Sequence, residues 1–241
     1  MDPSNSQVTL LKLENQELKA KIKQKDRLIK VMAHDLKAPL LSFLGFTEYM
    51  SEDLENFSTE ELKIIMQDMN QHARGMYDLV QNLLYWDKTS NQFKPVKFSV
   101  NEEIASNFKA IEPMARQKKI HINIILPEND SVFADRQMTA SMLRNLLSNA
   151  IKHTPSGGKI DVTAMKQNKM LQITVKDYGY GMDNKTLDHL LNPEKAGAKG
   201  SATGLGLLIC KKFVEQNKGK IWGESSRGQG TSFHFTLPLA D

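Results

Sequence analysis

The sequence predicts an α+β protein: an N-terminal helical hairpin that dimerises into a four-helix bundle, then a two-layer α/β sandwich. Three observations carry this expectation. A heptad frame of apolar residues runs unbroken from Val8 to Met50. A second run of alternating three- and four-residue steps follows a Ser-x-x-Glu signature at Ser58 and Glu61. Beyond residue 98 the apolar pattern switches repeatedly between strand and helix periods.

In the first frame Val8, Leu11, Leu18, Ile22, Ile29, Met32, Leu36, Phe43, Phe46 and Met50 occupy a and d positions. Asn15, Lys25 and Pro39 are its remaining members. Such spacing predicts a coiled coil or a bundle strand, and a polar residue at an a position such as Asn15 fixes register at some cost in stability. After the acidic stretch SEDLENF, Ser58 and Glu61 form a capping-box pattern that opens a second helix. Its apolar stripe is Leu62, Ile65, Met69, His72, Met76, Leu79, Leu83 and Trp86. One hairpin cannot bury both of its apolar faces, whereas two hairpins can, so a homodimer is expected. Residues 1–30 read as a coiled-coil extension of the first helix, 31–90 as the hairpin, 91–97 as a linker and 98–241 as the sandwich.

Within the sandwich, NEEIASNFKAIEPMARQK has helical spacing and IHINIIL alternates as a strand. DRQMTASMLRNLLSNAIKH is again helical, KIDVTAMK and MLQITVKD are strands joined by the polar turn QNK, and GLGLLICKKFVEQ is a helix. KIWGES and TSFHFTLPL close a mixed sheet with helices on one face.

The composition narrows function. The net charge of +4 is mild. Seven basic residues stand against three acidic ones between Leu11 and Lys30, which reads as a solvated helix face rather than a nucleic-acid arm. A single cysteine, Cys210, excludes an internal disulfide, and no run of 18 apolar residues offers a membrane span. The polar first residues, MDPSNSQ, carry no signal-peptide pattern, so a cytoplasmic location is expected.

The stretch VMAHDLKAPL holds the candidate chemistry of the first helix. On the heptad frame His34 is at f, facing away from the seam. A solvated surface histidine fits that position; so does a nucleophile. Neutral imidazole attacks through one nitrogen, and a carboxylate on the other nitrogen stabilises the charge that develops. Asp35 is next in the chain, and Pro39 frees a backbone carbonyl near residue 35 and bends the helix.

AHDLKAPL resembles the phosphoacceptor motif of sensor histidine kinases, and the coil and hairpin around it resemble their dimerisation and histidine-phosphotransfer domain. The resemblance implies that His34 accepts the γ-phosphoryl group of ATP, with Asp35 as the base. It extends through the second half in three motifs. NLLSNAIKHT sets Asn145 and Asn149 on one helical face, where amide oxygens suit Mg²⁺ and phosphates; capping or loop-satisfying asparagines give the same spacing. DYGYGM sets Asp177, Gly179 and Gly181 after a strand, a pattern that also describes ordinary turns. TGLGLLICKKF sets Gly204 and Gly206 at a helix start, where free amides suit phosphate. Their order is that of the GHKL-type ATP-binding fold, and GQGTSF with Thr231 resembles its last glycine box.

By that resemblance Asn149 would hold Mg²⁺, Asp177 would meet adenine, and Thr203, Gly204, Leu205, Gly206 and Leu207 would meet the phosphates. Lys152 and His153 would line the nucleotide, with Lys199 as a candidate for the γ-phosphate. An amide at Asn145 cannot serve as a base, which favours transfer over hydrolysis. The expected partners are a second copy, a response-regulator receiver domain whose aspartate takes the phosphoryl group, and an upstream sensor domain or partner protein. Nucleic acid is not expected. The alternative is a nucleotide-binding dimeric scaffold without kinase activity, because the stretch before ATGLGL lacks the phenylalanines that anchor the family's ATP lid. Ala38 stands where many relatives carry Thr or Asn, so phosphatase activity on the partner is expected to be weak.

Overall fold

The computed structural model describes residues 15–16, 19, 22, 26, 29, 33, 36–37, 39–51, 57–89, 93–128, 130–192 and 205–240. The proposed phosphoacceptor His34 and its neighbours Asp35 and Ala38 lie outside these, as do Lys199, Thr203 and Gly204. The chain divides into two compact units, Met1–Gln81 and Asn82–Asp241.

In the first unit residues 39–51 are helical, and α1 (Thr59–Thr89) has most of its length there. The capping box forms as its spacing predicts: Ser58 donates from its backbone N–H (2.9 Å) and its hydroxyl (2.7 Å) to Glu61 Oε2. Glu61 returns its backbone N–H to Ser58 Oγ at 3.3 Å. Tyr49 and Phe57 meet edge to face at 4.9 Å. The frame residues Leu36, Phe43, Phe46, Met50, Leu62, Ile65, Met69 and Met76 are half-buried, and no described side chain of these helices is fully buried. Leu40, Leu41, Leu44, Ile64, Met66, Tyr77 and Val80 stay exposed.

In the second unit β1 (Pro95–Ser99) pairs antiparallel with β3 (Ser131–Asp135). Residues 95–97, expected as linker, are therefore strand. Their periodicity is too short to read alone, and the pairing partner lies more than 30 residues downstream. α2 (Val100–Gln117), β2 (His121–Ile125) and α3 (Arg136–His153) surround that pair in the chain. A five-stranded mixed sheet has the order β2-β4-β5-β7-β6, where β4 is Lys159–Gln167, β5 is Met170–Asp177, β6 is Ile221–Ser226 and β7 is Gly230–Pro238. α4 (Asn184–Leu191) was not legible in the sequence; α5 is Leu205–Gln216.

The strands obey a period of two. Ile160, Val162 and Ala164 of β4, Leu171, Ile173 and Val175 of β5, and Phe233, Phe235 and Leu237 of β7 form one buried face. Against it α3 brings Met138, Met142, Leu146 and Leu147, and α5 brings Leu207, Cys210, Phe213 and Val214. Side-chain oxygens start the helices: Ser99 accepts from Glu102 N for α2, and Asp135 Oδ1 from Met138 N at 3.0 Å for α3. The buried Asn217 amide accepts from Asp135 N at 2.7 Å and donates to Phe213 O at 2.7 Å, so the end of α5 is tied to the start of α3.

Candidate nucleotide site

The strand period that builds the core also builds the site. In β5 the inward row Leu171, Ile173, Val175 continues to Asp177, so a carboxylate ends an apolar row and is only 5% exposed. Burial pushes its pKa up, opposed by the backbone N–H groups of Gly179 and Thr231. These donate to Oδ1 at 2.9 and 3.2 Å. Both bonds fall on Oδ1, which leaves Oδ2 for a donor entering the cleft.

α3 supplies the opposite wall. Leu146, Asn149, Ala150 and His153 follow the helical spacing i, i+3, i+4, i+7 and line one cleft with Val175, Asp177, Tyr180, Gly181, Met182, Thr231 and Phe233. The cleft encloses about 410 Å³ including its open mouth. The last turn of α3 is capped by a side chain from elsewhere: Lys118 Nζ donates to the carbonyls of Ile151 (3.0 Å), Lys152 (3.0 Å) and Thr154 (3.3 Å). His153 presents an exposed edge at the mouth. Desolvation against the wall, then the charge of Lys152, holds its pKa below the ordinary histidine value.

Two glycines permit the close approach of loops. A Cβ on Gly179 would stand 2.1 Å from His153 O. Gly181 has φ +60°, and a Cβ there would stand 2.0 Å from Ser226 O. Ser225 completes this wall: its hydroxyl accepts from Met182 N at 2.8 Å and lies 2.9 Å from Thr231 Oγ1.

Of the residues expected to contact nucleotide, the structure thus brings Asn149, His153, Asp177, Gly181 and Thr231 to one cleft, with Gly179 just behind it. Asn145 is half-buried one turn earlier on α3 and faces Gly206 in the first turn of α5; a Cβ on Gly206 would meet Asn145 Oδ1 at 3.0 Å. Leu205 opens α5, and Leu207 turns its side chain into the core, leaving only its backbone for a ligand. Lys152 is exposed and does not line the cleft. The apolar lining residues Leu146, Ala150, Val175, Met182 and Phe233 went unassigned in the sequence. The helical stripe through Asn149 and the alternation through Asp177 were the signals that identify the first three.

Among the described residues no group of three or more His, Cys, Asp or Glu side chains is placed to hold a metal. Asn145 Oδ1 beside Gly206, and Asn149 one turn on and lining the cleft, offer the amide chemistry that suits a hard cation sharing its coordination with phosphates and water.

Residues 134–241 match the family described as histidine kinase-, DNA gyrase B- and HSP90-like ATPase. The chain is 30% identical over 251 residues to the adaptive-response sensory kinase SasA of Synechocystis, covering 98% of this chain and 64% of that protein. The SasA of Microcystis aeruginosa is 29% identical, with 97% and 64% covered. The chain therefore spans about 64% of the length of these curated relatives. Among solved structures, the catalytic domain of histidine kinase ThkA is 30% identical with a TM-score of 0.54, covering 60% of this chain and 95% of that one. ThkA in complex with response regulator protein TrrA is 25% identical with a TM-score of 0.71, covering 94% and 65%. No helix among the described residues is long and apolar enough to cross a membrane. A carboxylate-floored cleft between an asparagine-bearing helix and two glycine loops, together with these likenesses, places the chain in the histidine kinase-, DNA gyrase B- and HSP90-like ATPase family, as a sensor histidine kinase catalytic core.

Proposed function

We propose that the chain is the core of a two-component histidine kinase that phosphorylates itself on His34 from ATP and passes the phosphoryl group to a response-regulator aspartate. The carrying observation is the convergence of Asn149, His153, Asp177, Gly181 and Thr231 on one cleft from segments as far apart as α3 and β7. Asp177 Oδ2 accepts the exocyclic amino group of adenine. The apolar walls take the ring, and the free amides at the start of α5 face the phosphates. Asn149, assisted by Asn145, holds Mg²⁺, which when bound neutralises charge on the phosphates. A ring nitrogen of His34 attacks the γ-phosphorus, the bond to the β–γ bridging oxygen breaks, and ADP leaves. Asp35 takes the proton from the other ring nitrogen.

Residues 31–90 serve as the dimerising phosphotransfer hairpin, continuous with the coil of residues 1–30, and 98–241 as the nucleotide domain. The uncovered apolar side chains of Leu40, Leu44, Met66 and Tyr77 support a homodimer. The response regulator as partner is supported by the complex of ThkA with TrrA. An alanine at position 38 cannot orient a water, so phosphatase activity on the phosphorylated regulator is weak.

Incubation with γ-labelled ATP should give an acid-labile label on the wild type and none on His34→Gln. A label that survives in His34→Gln would sink the reading. Nucleotide binding with no label at all would leave a dimeric scaffold.

A further inference from the structure

We propose that Tyr180 closes over the exposed face of the nucleobase and is a determinant of nucleotide affinity in this chain. The inference rests on the reading of the cleft as a nucleotide pocket and adds a contact that pattern does not assign.

The backbone at residue 180 is pinned from two sides. Its N–H donates to His153 O at 3.3 Å, and its carbonyl accepts from Gly228 N at 2.6 Å. The glycines on either side admit no Cβ, and Met182 N is held by Ser225 Oγ. The attachment point of the ring is therefore set at the lip of the cleft. Tyr180 lines the cleft and is 66% exposed. No hydrogen bond, ion pair or ring contact engages its side chain among the described residues.

Tyr178, two residues earlier, shows the contrast. Its hydroxyl donates to Asp161 Oδ2 at 2.8 Å, and the ammonium groups of Lys159 and Lys176 stand 5.2 and 4.7 Å from its ring centroid. The strand period sends Tyr178 to the face of the sheet away from Asp177, where its polar and aromatic capacity is used structurally. Tyr180 has the same chemistry on a fixed backbone, and its side chain has no such partner among the described residues.

The geometry of the cleft says what that partner is. A flat heterocycle that donates an amino N–H to Asp177 lies with its edge at the floor and its faces along Val175, Ala150, Met182 and Phe233. The part that emerges passes the lip held by Tyr180. Aromatic rings stack on bases through their π-faces with little geometric demand, which suits an exposed side chain on a backbone held from both sides.

The test is calorimetric titration of ADP into the full chain. Wild type and Tyr180→Phe should bind within about twofold of one another, while Tyr180→Ala should bind about tenfold more weakly. The melting temperature without nucleotide should change little among the three, because Tyr180 is largely exposed and its side chain makes no hydrogen bond, ion pair or ring contact among the described residues. Wild-type affinity in Tyr180→Ala would overturn the proposal, as would a loss of affinity matched by a fall in melting temperature. Asp177→Asn separates the two levels: if it keeps wild-type affinity, the nucleotide reading of the cleft fails first, and Tyr180 with it.

Discussion

Thr231 donates its backbone N–H to Asp177 Oδ1 at 3.2 Å, joining positions 54 residues apart at the floor of the cleft. The bond orients a carboxylate that burial would otherwise drive toward its neutral form. Stability and function therefore pull against each other at this residue. In Asp177→Asn the amide oxygen can keep both backbone N–H bonds without a buried charge, so the variant should melt higher than wild type near neutral pH. Its affinity for ATP should fall roughly 10- to 100-fold, since a charged acceptor is lost. Thermal unfolding and titration of the same sample check both; a variant that is less stable and binds normally would contradict the assignment.

Gly230 has φ +83°, and a Cβ there would stand 2.0 Å from Asp177 O. Gly157 has nearly the same φ, +79°, with nothing within 4 Å of its Cβ position. Gly157→Ala should therefore cost about 1 kcal/mol, the left-handed penalty alone. Gly230→Ala adds a clash with strand backbone and should cost at least about 2 kcal/mol, with loss of nucleotide binding. Urea titration of the pair separates backbone conformation from close approach; equal costs would refute the difference drawn here.

Lys118 caps α3 by donating to three carbonyls at its C-terminus. Lys118→Met keeps the aliphatic stem and removes the ammonium. We expect a loss of about 1–2 kcal/mol from the uncapped carbonyls and the helix dipole. Because His153 O accepts from Tyr180 N, hydrogen exchange of the Tyr180 amide should quicken in the same variant. Unchanged exchange would show that the cap does not reach the cleft.

His153 and His234 are both held below the ordinary histidine value, first by burial. In the unfolded chain they take up protons near pH ~6.5, whereas the fold resists. The stability that depends on their neutrality is present above that pH and is lost as pH falls through it toward the depressed folded values. Asp177, whose pKa burial raises, has the opposite sign, its contribution being lost as pH rises, so the midpoints are compared in the Asp177→Asn background. The denaturant midpoint should be lower at about pH 5.5 than at about pH 7.5, and the double variant His153→Gln, His234→Gln should flatten that slope. An undiminished slope in the double variant would place the dependence elsewhere.

Much of the fold was legible in local pattern. Period two marked β4, β5 and β7, helical spacing marked α2, α3 and α5, and Ser58 with Glu61 marked the start of α1 to the residue. β1 and β3 were missed because each is a five-residue strand that forms by pairing with segments distant in the chain, β1 with β3 and β3 also with Leu239. α4 was missed because one buried leucine, Leu187, anchors its eight residues. The site divides the same way. Asp177, Asn149 and the glycines carried motif signals, whereas Tyr180, Ser225 and Lys118 act through contacts with segments distant in the chain.

The amino-acid order by itself determined which residues share a helix face or a strand face, because those depend only on the chain's own period. It therefore determined that a carboxylate ends an apolar row and that an asparagine stands on the stripe of a core helix. Only the tertiary structure decided that these meet. Sheet order sets β7 beside β5, so Thr231 reaches Asp177, and the C-terminal turn of α3 lies over the glycine loop, so His153 receives Tyr180. Pairing across such separations depends on burial and hydrogen bonding summed over the whole domain, and no local window of sequence contains that sum.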